Sequence, residues 1–399
     1  MADKPAVLYV SYDGMLEPLG QSQVIAYLEK LTDAAKFHIL SFEKPADWAD
    51  TERRAALERR LDTAGIDWHS LVYHKHPTVP ATLFDIVKGT IAALWLALRH
   101  RVQIVHARSY IPALIGLVVK RITGAKLLFD MRGFWADERV DGGVWPKSGK
   151  IYRAMKRLER RLLLGADHIV TLTHASRPVI EAFPYLADRP HASISVIPTC
   201  ADLDLFSPDG GPRPESYTLG HLGAISGNRM FDEVLTCFIE LRKLRPDARL
   251  LVVNLGEHEL ARMMAREFGI PEETLKLVAA EHIEVPALIR QMNAGAAVNR
   301  PSFCEIARAP TRLAEYLGCG VPCLGNARVG DMESNLQDES VGAVISNFTK
   351  AERVRAVERL LELDADPETP MRCRAVALEL FSLKSGVDSY RSIYRELST

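Results

Sequence analysis

Residues 299–326, NRPSFCEIARAPTRLAEYLGCGVPCLGN, decide how this chain is read. The small, apolar run 294–299 predicts a strand that ends on Arg300, Pro301 and Ser302. A loop carrying Glu305 and Arg308 comes next. Pro310 suits the first turn of a helix, where a missing N–H costs nothing. That helix sets Leu313, Tyr316 and Leu317 on one face. Gly318 and Gly320 stop it, and a strand begins at Pro322. Strand, loop, helix, strand is the repeating unit of a parallel α/β sheet. A loop feeding a helix N-terminus at the end of such a strand is where these sheets take anionic ligands. Glu315 lies one turn inside the helix. Its carboxylate cannot ligate phosphate but can accept hydrogen bonds from sugar hydroxyls; taken alone it would read as a solvated helix carboxylate.

The alternation extends in both directions. In the second half, strands are expected at 217–222, 249–254 and 275–279, with helices at 231–244, 257–268 and 285–292. A strand at 343–346 then precedes three terminal helices, the last at 383–397. In the first half, strands are expected at 6–11, 37–42, 67–73, 102–106, 126–131, 168–172 and 193–197. Helices fall between them, starting near Gln21 and at 51–64, 83–99, 111–122, 150–164 and 176–183. Between the halves, FSPDGGPRPES at 206–216 is rich in Pro and Gly and reads as a linker. The expected fold is α/β: a first domain over 1–205, with the helix 383–399 returning to it, and a second over 206–382.

The bulk numbers agree. At roughly 150 residues per domain, 399 residues make two or three domains. Hydrophobic content of 47% and charged content of 25% are globular values. With a net charge of -1, nothing marks the chain as a whole as a nucleic-acid binder. The six cysteines make no C-x-x-C pair, which suits reduced cytosolic thiols. No targeting segment is expected before the first strand. The apolar run 89–98 is too short to span a bilayer, which takes about 20 residues. A cytoplasmic protein is expected, one that at most lies on the inner face of a membrane.

Residues 299–326 resemble the donor-sugar motif of family 4 retaining glycosyltransferases with the GT-B fold. That motif has a first Glu, seven residues, a second Glu, then a small-residue turn and Pro. Glu315 matches the second Glu and GCGVP the turn, whereas the first Glu position holds Ala307. The loop is similar to a subgroup ending in Ser/Ala-Pro-Thr-Lys/Arg, here Ala309-Pro310-Thr311-Arg312. IPTCADLDLF and the last helix also resemble the family's. The resemblance implies two Rossmann-like domains facing across a cleft and a polysaccharide-biosynthesis type of activity. The implied reaction moves a sugar from a nucleotide-diphosphate sugar to a hydroxyl of a glycan, a lipid-linked glycan or a small molecule. A nucleotide-sugar epimerase and a non-catalytic binding protein on the same fold are the alternatives. An NAD-dependent oxidoreductase is disfavoured, since neither half shows G-x-G-x-x-G after its first strand.

The resemblance distributes roles. Arg229 falls where the family has a Lys on the diphosphate, while the family's Arg position falls on Ala224; Arg300, Arg308 or Arg312 are candidates for the second cation. Pro310, Thr311 and Glu315 join them on the donor side, with Glu315 fixing the ribose. Gly20 and Gln21, in PLGQSQ, are expected near the diphosphate, though loop geometry alone could require the glycine. His106 and Arg108, in HARSY, end a strand, the functional edge of such a sheet; His106 reads equally as a core histidine. DMRGFWADERVDGGVW reads as a charged, aromatic loop for sugar, with Asp130, Arg132, Trp135 and Glu138 on the acceptor side, or as an internally ion-paired loop. Arg229, Glu315, Arg108 and Asp130 are the expected catalytic set, without cofactor or metal. Asp202-x-Asp204 reads as a structural turn rather than a metal site. The basic stretch 147–164 could rest on anionic lipid or be a solvated face.

Overall fold

The computed structural model describes residues 4–187, 189–209 and 214–398. The chain divides into two units, one of 1–198 with 383–399, the other of 199–382.

The first unit holds a seven-stranded parallel sheet in the order β3-β2-β1-β4-β5-β6-β7. Its strands are β1 Ala6–Ser11, β2 Lys36–Glu43, β3 Asp67–Val72, β4 Ile104–Arg108, β5 Lys126–Asp130, β6 His168–Thr171 and β7 Ser193–Val196. β1 is an apolar run, and β1 and β4 are buried along nearly their whole length, as parallel strands covered by helices must be. Helices cross between strands: Thr51–Ala64 is capped by Asp50, whose side chain accepts from Arg53 N–H, and ends on left-handed Gly65. Helices Thr78–Arg99, Tyr110–Thr123 and Lys150–Gly165 pack side by side. The first helix starts at Pro18 and carries a π-helical segment over Gln21–Ile25.

The second unit repeats the plan with six parallel strands in the order β10-β9-β8-β11-β12-β13. These are β8 Thr218–Leu222, β9 Arg249–Val253, β10 Leu275–Val278, β11 Ala294–Ala296, β12 Cys323–Asn326 and β13 Gly342–Ile345. One core layer centres on Phe231, Leu235, Phe238 and Leu250; the other centres on Leu313, Tyr316, Leu317 and Met332.

All thirteen expected strands are present within a few residues of their expected ends. The division between units falls at 198/199, ahead of the expected boundary. Ala201, Leu203 and Phe206 are buried in the second unit's core, and Arg374 donates to the carbonyls of Leu203 at 2.7 Å and Phe206 at 2.6 Å. The expected linker therefore begins on a core residue, and its centre, 210–213, lies outside the described residues. One expected loop is a helix. Trp135–Asp141 is helical because Asp137 and Glu138 occupy its first turn and Ala136 and Asp137 turn inward.

Candidate active site

Each sheet reverses its strand order between two neighbouring strands, β1 and β4 in the first and β8 and β11 in the second. Ligands of doubly wound sheets bind beyond the C-terminal ends of the strands at such a point.

In the second unit, that position holds the loop after β8 and the segment after β11. Gly223 and Gly227 take φ of 88° and 78°, which a side chain would resist. Asn254 donates to Gly223 O at 2.9 Å, and Glu257 accepts from Ile225 N–H at 2.6 Å and from the Ser226 hydroxyl. The Ser226 and Ile225 bonds hold the Glu257 carboxyl down at about 2. This fixed loop delivers Arg229, which bridges to Asn299.

Asn299, fully buried, is the hub. Its backbone N–H donates to Asn326 Oδ1 at 2.9 Å and its amide to Glu305 Oε2 at 2.9 Å. Its Oδ1 accepts from Arg312 at 2.7 Å and from Arg229 at 3.3 Å. Arg312 also donates to the carbonyls of Leu222 and Val298, each at 3.3 Å. Arg308 pairs with buried Glu305 at 3.0 Å. Burial, then the charges of Arg312 and Arg308, pull the Arg229 guanidinium down to about 10, still fully charged at neutral pH. Three guanidiniums thus crowd one buried carboxylate, and an anion would relieve the crowding.

The helix Thr311–Gly318 begins at this cluster, and no side chain caps it at Pro310. Glu315 sits half-buried on it, and burial pushes its carboxyl up to about 7 against the pull of Arg312. Ala307 is buried, and Glu305 in the same loop is turned inward onto Asn228, Asn299 and Arg308. Arg300 is exposed, its backbone N–H bonded to Asn228 O at 2.9 Å.

In the first unit the ends of β4 and β5 carry a buried polar network. Register pairs Ser11 with Arg108 and Arg108 with Asp130. Asp130 is buried, which opposes its charge, yet Arg132, His106 and Arg108 outweigh this and hold its carboxyl below the usual range. Tyr390 of the last helix donates to Asp130 at 3.2 Å, and Tyr394 shares a 2.7 Å bond with His106 Nδ1. His106 is kept neutral chiefly by burial. Arg108 lies 3.6 Å from Asp13 and 3.9 Å from Asp130. His106, Arg108 and Asp130 are therefore enclosed, and Arg132, at φ 61°, is the more accessible neighbour.

Other expected residues have internal partners. A Cβ on Gly20 would lie 2.2 Å from Gly14 O, so close packing of the loop accounts for this glycine. Gln21 spends its amide on Met15 O at 2.6 Å and Arg60 at 2.9 Å. The N–H groups of Met15 and Leu16 go to buried Glu43, at 2.8 and 3.2 Å. Trp135 packs between Tyr110 and Trp145 with Arg139 over its ring. Glu138 is half-buried in the same helix, and Asp137 pairs with Tyr152 and Lys156. Asp202 accepts the N–H of Asp204 at 3.1 Å, the signature of a turn. Sequence reasoning misses Asn299, Asn254 and Glu257. Their only sequence signal is a polar residue just beyond a buried strand.

Residues 24–199 match the glycosyl transferase 4-like domain family. No curated protein matches the chain in sequence. Among solved structures, a glycosyltransferase from Rickettsia africae ESF-5 is similar with TM-score 0.71 and 14% identity, over 100% of this chain and 99% of that one. Sucrose-phosphate synthase from Thermosynechococcus elongatus is similar with TM-score 0.72 and 12% identity, over 99% of each chain. HepE from Anabaena, solved in complex with UDP, is similar with TM-score 0.69 and 14% identity, over 98% of this chain and 100% of that one. At such identities the likeness is one of fold, and it fits two Rossmann-like units, each with a doubly wound parallel sheet. The family match thus places a glycosyl transferase 4-like domain at residues 24–199, in the first unit, and the chain as a whole has the two-unit GT-B fold.

Proposed function

We propose that the chain moves a sugar from a nucleotide-diphosphate sugar to a hydroxyl of a glycan, lipid-linked glycan or small-molecule acceptor, with retention at the anomeric carbon. The observation that carries this is the excess of guanidinium over carboxylate around Asn299, beyond β8 and β11. Departure of the diphosphate is the hard step, because the leaving oxygen gains the electron pair of the broken C1–O bond. Arg229 and Arg308 stabilise that charge by charge-assisted hydrogen bonds, and the uncapped helix start at Thr311 adds its amide dipoles. Arg312, already bonded to two carbonyls and Asn299, positions the cluster. Glu315, with no side-chain partner among the described residues, accepts from the ribose hydroxyls, as the family resemblance implies. The acceptor oxygen bonds to C1 on the face the diphosphate leaves, and its proton passes to the departing phosphate oxygen. Arg132, Trp135 and Glu138 are the acceptor-side candidates, backed by Arg108 and Asp130. Since arginine supplies the positive charge, no metal is required, and chelation is expected to leave turnover intact.

The test is transfer from a panel of nucleotide sugars, beginning with the uridine diphosphate sugars because the Anabaena neighbour is solved with UDP-glucose, with the anomeric configuration of the product read by NMR. A product of retained configuration supports the reading. An inverted product overturns the stereochemistry, and no transfer across the panel overturns the reaction.

We also propose peripheral contact with an anionic membrane, which would suit a lipid-linked acceptor. The helix Thr78–Arg99 is long and apolar enough to cross a membrane by length and composition. Its Ala81, Asp85, Gly89, Ala93 and Leu96 are nevertheless buried in the unit, so it packs as a layer of the fold. Leu83, Phe84, Val87, Ile91, Trp95 and Leu98 remain exposed. In the same layer the helix Lys150–Gly165 exposes Lys150, Arg153, Arg157, Arg160 and Arg161. An apolar stripe and a basic one on two helices of one layer, with the helix Tyr110–Thr123 between them, match an anionic lipid surface.

A further inference from the structure

Three histidines from three elements of the first unit converge at the edge of its sheet, away from the strand ends that carry the candidate active site. Register sets His38 opposite Asp67 and Leu40 opposite His69. Paired residues of parallel strands share a face, as do alternate residues along each strand, so His38, Asp67 and His69 lie on one face. His100, just after the helix Thr78–Arg99, comes onto that face with its ring centroid 3.9 Å from that of His38 and 6.4 Å from that of His69. We propose that His38, His69 and His100 form a binding site for one borderline divalent transition-metal ion, with Zn²⁺ the first candidate.

One nitrogen of each ring lies within 4.8 Å of the others. Ligand atoms around a tetrahedral ion at about 2.0–2.1 Å stand roughly 3.4 Å apart, so ring rotations close the remaining gap. His38 is 6% exposed, and His69 Nε2 is buried with no hydrogen-bond partner. Such a nitrogen is costly to bury unless something takes its lone pair or its proton. Asp67 stands 2.9 Å from His38 Nδ1, where it can orient that imidazole as carboxylates do beside metal-bound histidines. Three imidazoles exclude Mg²⁺ and Ca²⁺, which take oxygen ligands, and suit Zn²⁺, Co²⁺, Ni²⁺ or Cu²⁺. An ion here would tie β2, β3 and the end of the long apolar helix together. It would stabilise the fold without entering the transfer chemistry.

The test uses the untagged full-length protein stripped with a chelator and titrated with Zn²⁺ in a calorimeter. Expected are one ion per chain, a rise in Tm of roughly 5 °C or more at saturation, and visible absorption bands of tetrahedral coordination when Co²⁺ replaces Zn²⁺. His100→Ala and, separately, His69→Gln weaken binding at least about ten-fold, while His191→Ala, at an exposed position elsewhere, leaves it unchanged. Circular dichroism of the metal-free variants establishes that each is folded. Absence of a stoichiometric ion, or equal affinity in the folded His100→Ala and His69→Gln variants, overturns the proposal.

Discussion

Arg229 is held where its own charge is disfavoured, since burial and two neighbouring guanidiniums oppose it. A group so placed gains more from an incoming anion than a solvated arginine does. Arg229→Ala is expected to cost about 2–3 kcal/mol of transition-state stabilisation, roughly a 30- to 150-fold loss in kcat/KM. Arg229→Lys should recover part of it, since an ammonium keeps the charge but loses the fork. Steady-state kinetics check both. Glu315 gives a prediction with a defined sign. Its folded-state pKa of about 7 lies above the ordinary 4.5, so its contribution to stability is present at low pH and lost as pH rises through 7. Glu315→Gln should therefore raise Tm at about pH 8 while changing it little at about pH 4.5. Thermal melts across that range check it. Arg229 and Glu315 stand out in the sequence only through the family resemblance, and Arg229 lies in the cluster around Asn299. Asn299 is not, because its importance lies in four bonds, most of them to residues distant in sequence.

Elements make a second set of demands. Gly20 sits where a Cβ would strike the backbone of Gly14 and Met15, which cannot swing aside as a side chain could. Gly20→Ala should destabilise the first unit by about 2 kcal/mol or more, measured by denaturant melts, and should do so whether or not donor is present. The last helix, Leu383–Ser398, docks through Tyr390 and Tyr394 onto the network at the ends of β4 and β5. Tyr394→Phe removes the 2.7 Å partner of a buried imidazole and should cost about 1–3 kcal/mol, seen as a lower melting midpoint. The strands can be read from the sequence because parallel strands buried on both faces are near-continuous apolar runs. The helix Trp135–Asp141 is hidden because its charges and aromatics look like a binding loop. Asp137, Tyr152, Lys156 and Glu159 in fact satisfy one another or neighbours in the same unit. The long helix Thr78–Arg99 is legible from Leu83 onward, while its start, TVPAT, carries a proline and two threonines and does not read as helix.

At the scale of the whole molecule, two doubly wound sheets in one chain are readable from the repeated alternation of strands and helices. The boundary between units is not, because ADLDLF carries apolar residues that pack into the core of the second unit. A net charge of -1 also hides a strongly uneven distribution. The exposed basic face of Lys150–Gly165 and the apolar stripe of Thr78–Arg99 predict binding to vesicles rich in anionic lipid, weakened by salt and by Trp95→Asp. Co-sedimentation with anionic and zwitterionic vesicles separates this from general stickiness, since equal recovery with both would count against it. The central claim is narrower: the arginines around Asn299 take a diphosphate. Calorimetric titration of the intact protein with UDP and UMP tests it most directly, alongside folded Arg229→Ala and Arg308→Ala variants. The account predicts at least about ten-fold tighter binding of the diphosphate, an advantage that either substitution largely removes. Diphosphate and monophosphate binding alike, or a diphosphate preference untouched in both variants, would contradict it.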